Sequence, residues 1–132
     1  MSWTDDEVLV VEDDRDILML LLKALRGIGC VPNGRSNGTL ARTHIEKLID
    51  ERRPPSLIIS DIGLNGQDGI EFMKWCATQP ALARTVRVLL TAQPARAAEL
   101  AEGTVHAVYT KPVSSREFIT EIQQMMEARD AQ

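Results

Sequence analysis

Two short runs, "VLVV" (Val8 to Val11) and "LIIS" (Leu57 to Ser60), are apolar along almost their whole length rather than alternating. A strand with one face in water alternates apolar and polar residues, whereas a continuous run expects both faces to be covered. Two further runs, "VRVLL" (Val86 to Leu90) and "VHAVY" (Val105 to Tyr109), follow at intervals filled by longer helical patterns. Strand and helix therefore alternate along the chain. That alternation implies an α/β fold with a parallel sheet and helices on both of its faces.

The first helix starts near Asp14 to Asp16, carries Ile17, Leu21, Leu25 and Ile28 at helical spacing, and stops at Gly27 to Gly29. A second runs from about Thr39 to Glu51 and ends before Pro54-Pro55. A third follows Asp68-Gly69, with Ile70, Met73 and Ala77 on one stripe. The fourth, "PARAAELAEG", has Pro94 at its first position and Gly103 as its stop. The fifth begins with Ser114 and Glu117 in capping-box spacing and buries Phe118, Ile122 and Met125. A second strand belongs within "CVPNGRSNG" (Cys30 to Gly38). Because Pro is tolerated only at the margin of a sheet, this one is expected to be a short edge strand.

A chain of 132 residues suits one domain, with a core from about residue 7 to 128. The net charge of −4 and the absence of a basic cluster longer than Arg52-Arg53 argue against direct nucleic-acid binding. No apolar run approaches the roughly 18 residues of a membrane span, and "MSWTDDE" lacks the pattern of a signal peptide. A cytoplasmic location is the expectation. Cys30 and Cys76 lack metal-ligand spacing and read as buried thiols.

In parallel sheets of this kind, ligands bind beyond the carboxyl ends of the strands. After "VLVV" come Glu12, Asp13 and Asp14; after "LIIS" comes Asp61; after "VRVLL" comes Thr91; after "VHAVYT" comes Lys111. Any one of these is uninformative, since a strand-terminal Asp is more often a cap or a turn residue. Together they deliver acids, a hydroxyl and an ammonium to one rim. Glu12, Asp13 and Asp61 converging on one pocket would raise one another's pKa or recruit a cation. Hard oxygen ligands that leave room for water suit Mg²⁺. Lys111 offers a point charge and Thr91 a hydroxyl for a phosphoryl group. The set can support phosphoryl transfer to a carboxylate nucleophile.

The pieces "VLVVEDD", "LIISDIGLNGQDGIEF", "VLLTA" and "YTKPV", in that order, resemble the receiver domain of two-component response regulators over nearly the whole chain. The resemblance implies a flavodoxin-like, doubly wound sheet of five parallel strands in the order 2-1-3-4-5. It implies that Asp61 is the phosphoacceptor and that Thr91 and Lys111 contact the phosphoryl oxygens. Asp13 and Asp61 would ligate Mg²⁺, with the backbone carbonyl of Gly63, and Glu12 would act directly or through water. Lys111-Pro112 is expected to be cis, and Asp14 to cap the first helix. The implied partners are a histidine kinase or histidine phosphotransfer protein and a downstream target or fused output domain. A homodimer through the face of helix 4, strand 5 and helix 5 is a further option.

Several positions depart from the family pattern. Asn65 and Gln67 stand where relatives carry Pro and Met. Gly63 replaces a bulkier side chain, which bears on the lifetime of the phosphoryl group. Val108 occupies the place of the usual switch aromatic, and Tyr109, one step later, should face the other side of its strand. The fourth helix is expected to be short and the second extended.

Two other readings compete with a phosphorylation switch. A phosphatase of the haloacid dehalogenase type needs a second Asp where Gly63 sits. A degenerate receiver, binding a partner without phosphorylation, is countered by the intact Asp13, Asp61, Thr91 and Lys111. No phosphate-loop or dinucleotide fingerprint is present. His44, His106 and Trp75 read as surface or packing residues.

Overall fold

Each apolar run becomes a strand, and the helical patterns fill the gaps between them. In the computed structural model, which describes residues 2–63 and 68–131, the order is β1 (Val8–Val11), α1 (Arg15–Gly27), β2 (Asn33–Arg35), α2 (Gly38–Asp50), β3 (Leu57–Asp61), α3 (Gly69–Thr78), β4 (Val86–Thr91), α4 (Pro94–Ala97), β5 (Ala107–Thr110) and α5 (Ser115–Asp130). The sheet order is β2-β1-β3-β4-β5 and every pairing is parallel. This is the flavodoxin-like arrangement expected from the sequence.

The continuous runs are continuous because both faces of the sheet are covered. On one face Val8, Val10, Leu57, Ile59, Val88 and Leu90 pack with Leu21 and Leu25 of α1 and Phe118 and Ile122 of α5. On the other, Leu9, Val11, Ile58 and Leu89 meet Ala41 and Ile45 of α2 and Phe72, Met73 and Cys76 of α3. Each fully buried Val, Leu or Ile contributes about 1.5–3 kcal/mol. Trp3, in a short 3-10 turn before β1, joins the α1/α5 side of the core.

β2 is the short edge strand that Pro32 demanded, with all three residues half-buried. Its Gly34 is tightly packed: a Cβ there would come within 3.1 Å of the methyl groups of Leu18 and Leu22, which would have to shift by a few tenths of an ångström. α2 is as long as α1, at 13 residues each.

Four details differ from the sequence reading. α4 keeps Pro94 in its first turn but ends at Ala97, six residues before Gly103. Its Ala-rich sequence favours a helix, yet only Ala97 is buried, and one residue cannot anchor a longer helix. β5 begins at Ala107 rather than Val105. In α3 the buried stripe is Ile70, Met73 and Cys76, and Ala77 is exposed. In α5 Met126 is fully buried, while Met125 is only partly covered. No described helix is long and apolar enough to cross a membrane.

Candidate functional site

Parallel strands in register end at one rim. Val11 is opposite Ser60, Asp61 opposite Leu90, and Thr91 opposite Thr110. Glu12 and Asp13 leave β1, Asp61 ends β3, Thr91 ends β4 and Lys111 follows β5. The sheet thus gathers all the strand-terminal groups singled out in the sequence. One carboxylate oxygen from each of Glu12, Asp13 and Asp61 lies within 4.8 Å of the others.

Lys111 is inserted between two of these acids. Its Nζ lies 2.6 Å from Glu12 Oε1 and 3.1 Å from Asp61 Oδ2. Burial disfavours the ammonium, but the hydrogen bonds to both carboxylates outweigh it and raise the Lys111 pKa. Asp61 is steadied by its own strand end, since Oδ1 accepts from Ile62 N at 2.8 Å. The other oxygen, Oδ2, is thereby turned to Lys111.

Glu12 is 2% exposed. Its pKa is pushed up to about 7, first by burial and then by Asp61, against the opposing pull of Lys111. Its Oε2 is buried and has no hydrogen-bond partner among the described residues. A buried carboxylate oxygen without a donor is costly, and a cation beside Asp13 and Asp61 would remove that cost. The all-oxygen donor set fits a hard divalent ion such as Mg²⁺.

Thr91 is buried, and its Oγ1 accepts from Gln93 N at 2.7 Å. That bond orients the hydroxyl while leaving its hydrogen free to donate. Lys111 N donates to Thr91 O at 2.8 Å, joining the ends of β4 and β5. Lys111-Pro112 is cis. Asp14 turns away from the cluster and caps α1, its Oδ1 accepting from Asp16 N and Ile17 N at 3.0 and 3.1 Å.

Gly63 is exposed, and a Cβ there would meet nothing within 4 Å. Glycine at this position is therefore not a steric necessity among the described residues. Gly69 is the opposite case. A Cβ there would lie 2.0 Å from Asp61 O and 2.7 Å from Ile62 Cα, so only glycine lets α3 start directly against the Asp61 backbone. Asn65 and Gln67 fall outside the described residues.

Val108 and Tyr109 lie on opposite sides of β5, as period-two alternation requires. Val108 pairs with Leu89 and is 41% exposed, because the one-turn α4 does not cover it. Tyr109 faces the α1/α5 core and packs edge-on against Phe118, with ring centroids 5.0 Å apart. Thr91, two residues past Leu89, shares the face of Val108. The aromatic ring is on the other.

Neither histidine joins the site. His106 Nδ1 accepts from Arg87 N at 3.0 Å while the His106 backbone N–H donates to Arg87 O at 2.8 Å, extending the β4–β5 pairing by one residue. His44 Nδ1 lies 3.1 Å from Arg35 Nη2. Trp75 is half-buried, stacked near Phe72, with the Arg42 guanidinium 4.6 Å from its ring centroid. Burial pushes the Cys30 and Cys76 thiols up to about 11 and about 12, so both stay protonated and inert.

Two interactions, one at the opposite end of β4 and one beside the site, were not legible in advance. Arg87 is buried and bonds only backbone carbonyls, those of Thr104, Gly103, Leu82 and Thr85. An arginine inside an apolar strand run was the available signal. Arg96 of α4 forms an ion pair with Asp68, the N-cap of α3. Nothing local to either residue announces that pair.

The sequence model of the family described as response regulator receiver domain matches residues 8–123. The chain belongs to that family. Among solved structures, the receiver domain of an HD domain-containing protein from Pseudomonas fluorescens Pf-5 is 25% identical, with TM-score 0.78, covering 96% of this chain and 98% of that one. The receiver domain of a signal transduction histidine kinase from Syntrophus aciditrophicus is 24% identical, with TM-score 0.80, covering 93% and 91%. The chemotaxis response regulator CheY4 of Vibrio cholerae is 23% identical, with TM-score 0.74, covering 90% and 97%. The latter two show a shared fold. No curated protein matches the chain. As a two-component receiver domain, the protein has a rim arrangement consistent with a phosphoacceptor signalling switch.

Proposed function

We propose that the protein is a cytoplasmic, phosphorylation-dependent switch in which Asp61 accepts a phosphoryl group from a phosphohistidine on a histidine kinase or phosphotransfer protein. The observation that carries this reading is the buried, partnerless Oε2 of Glu12 beside Asp13 and Asp61, with Lys111 bonded across two of the acids. Asp61 Oδ2 attacks phosphorus. The P–N bond breaks, its electron pair returns to the imidazole, and the imidazole takes up a proton. Lys111 and Thr91 stabilise the equatorial oxygens as charge moves onto the acyl phosphate. Asp13, Asp61, the Gly63 carbonyl and Glu12, directly or through water, would hold Mg²⁺. When bound, the ion offsets the repulsion between these acids and the incoming phosphoryl group. The output is a changed surface around α4, β5 and α5 for a downstream target, a fused output domain or a second copy.

Incubation with Mg²⁺ and a small acyl phosphate, read by intact mass spectrometry, should add one phosphoryl group. Asp61→Asn should abolish the addition, and Asp13→Asn should remove its dependence on Mg²⁺ or the reaction itself. The exposed Val108 and inward Tyr109 favour a second reading, a binding module that works without phosphorylation. A wild type that takes no label under these conditions would favour it.

A further inference from the structure

Among the described residues, the segment after Thr91 and the segment after Asp61 are fastened to each other by one charged contact. Arg96 Nη2 in the single turn of α4 donates to Asp68 Oδ2. The other oxygen, Oδ1, accepts from Ile70 N at 2.7 Å and starts α3. Asp68 is followed by Gly69, whose N–H donates to Ile62 O at 2.8 Å and whose Cα has no room for a Cβ against Asp61 O. A displacement of the Asp61 backbone is therefore passed to the α3 N-terminus with little slack. From the other direction, Thr91 Oγ1 holds Gln93 N, which leads straight into the turn carrying Arg96. Ala97, next to Arg96, is buried in the same core cluster as Ile62 and Ile70.

We infer that the Asp68–Arg96 pair is the link that makes α4 follow the state of Asp61, with Arg96 as a positioning residue acting through Asp68. This inference rests on Asp61 being the phosphoacceptor. Its physical basis is the position of the aromatic ring. Tyr109 lies across the sheet from Thr91, so a hydroxyl movement cannot be relayed through that ring to α4. A one-turn α4 with a single buried residue also has little packing of its own to fix its position. The ion pair joins residues 28 apart in sequence and is only partly exposed, at 38% and 35%. Such a pair is strong enough to bias a loosely held turn and weak enough to rearrange.

The test is hydrogen exchange by mass spectrometry on residues 93–100, with and without the acyl phosphate and Mg²⁺, with labelling measured in parallel. In the wild type, phosphorylation should change protection across this segment. Arg96→Ala and Asp68→Asn should still take up the phosphoryl group, yet show that change reduced by about 2- to 5-fold, as expected from losing a part-exposed pair. Asp68→Asn retains an acceptor for Ile70 N, so α3 keeps its cap. Arg96→Lys, which keeps the charge, should restore part of the response. A merely structural role would alter protection equally in both phosphorylation states and leave their difference intact. A labelled wild type and a labelled Arg96→Ala with the same difference would overturn the inference alone. A wild type that takes no label would overturn the functional reading and the inference with it.

Discussion

β1 is buried along its whole length, whereas β5 alternates half-buried and exposed residues. Both deliver a charged group to the same site, Glu12 from one and Lys111 from the other. β1 lies between β2 and β3 and is covered by α1 and α2. β5 is an edge strand and has only the single turn of α4 on one face. The acids thus stand on the most constrained part of the molecule, while the lysine and threonine connect to its least covered part. Regions with few buried apolar contacts open at lower free energy than core strands. On the proposed reading this division suits a switch: the geometry around Asp61 stays fixed while the surface near α4 and β5 can move.

The contrast is broken most directly by core substitutions. Ile59→Ala in β3, a fully buried residue, should cost about 2–5 kcal/mol in a denaturant titration. Arg87→Met should cost about 1–3 kcal/mol, because four backbone carbonyls lose their donor. The Arg87 loss should fall on the β4–β5 side, seen as faster hydrogen exchange at residues 103–108 before the β1 amides respond. Simultaneous exchange in both regions would show that the two sides open as one unit.

Glu12 supplies a pH test. Its folded pKa of about 7 lies above the unfolded value of 4.5. Its contribution is therefore whole below about pH 4.5 and is lost as pH rises through 7. Without Mg²⁺, the stability difference between wild type and Glu12→Gln should move against the wild type across this window, by at most about 1.4 kcal/mol per pH unit. A flat difference would mean that the carboxyl is not held protonated by its burial.

Asp14→Ala should cost about 1 kcal/mol, the value of a helix N-cap, and leave phosphoryl uptake unchanged. Smallest of all, Val108→Ala should change stability by no more than about 0.5 kcal/mol, since the side chain is 41% exposed. A loss comparable to that at Ile59 would erase the distinction between the two sides.

Much of this arrangement is legible in the residues themselves. Val8 to Val11 and Leu57 to Ser60 encode a doubly covered sheet because no polar face interrupts them. Asp14 as a cap follows from its place before a helical stripe, and the inward turn of Tyr109 follows from period two alone. A short α4 follows from the sequence, but its end at Ala97 does not, because helix propensity in "PARAAELA" is overridden where the helix finds nothing to pack against. The buried stripe of α3 shifts from Ala77 to Cys76 for a related reason. Spacing locates a face only to within about one residue, and the partner surface selects which side chain it covers.

The sequence by itself determined the sheet, the rim and the identity of the groups on it. These depend on periodicities of two and 3.6 and on what directly follows each strand. It took the packed molecule to show that Lys111 bridges Glu12 and Asp61, that one oxygen of Glu12 has no partner among the described residues, and that Arg96 holds Asp68. Those facts depend on separations of 99, 50 and 28 residues closing to bonding distance. No local pattern encodes a distance between chain segments until the core has packed them together.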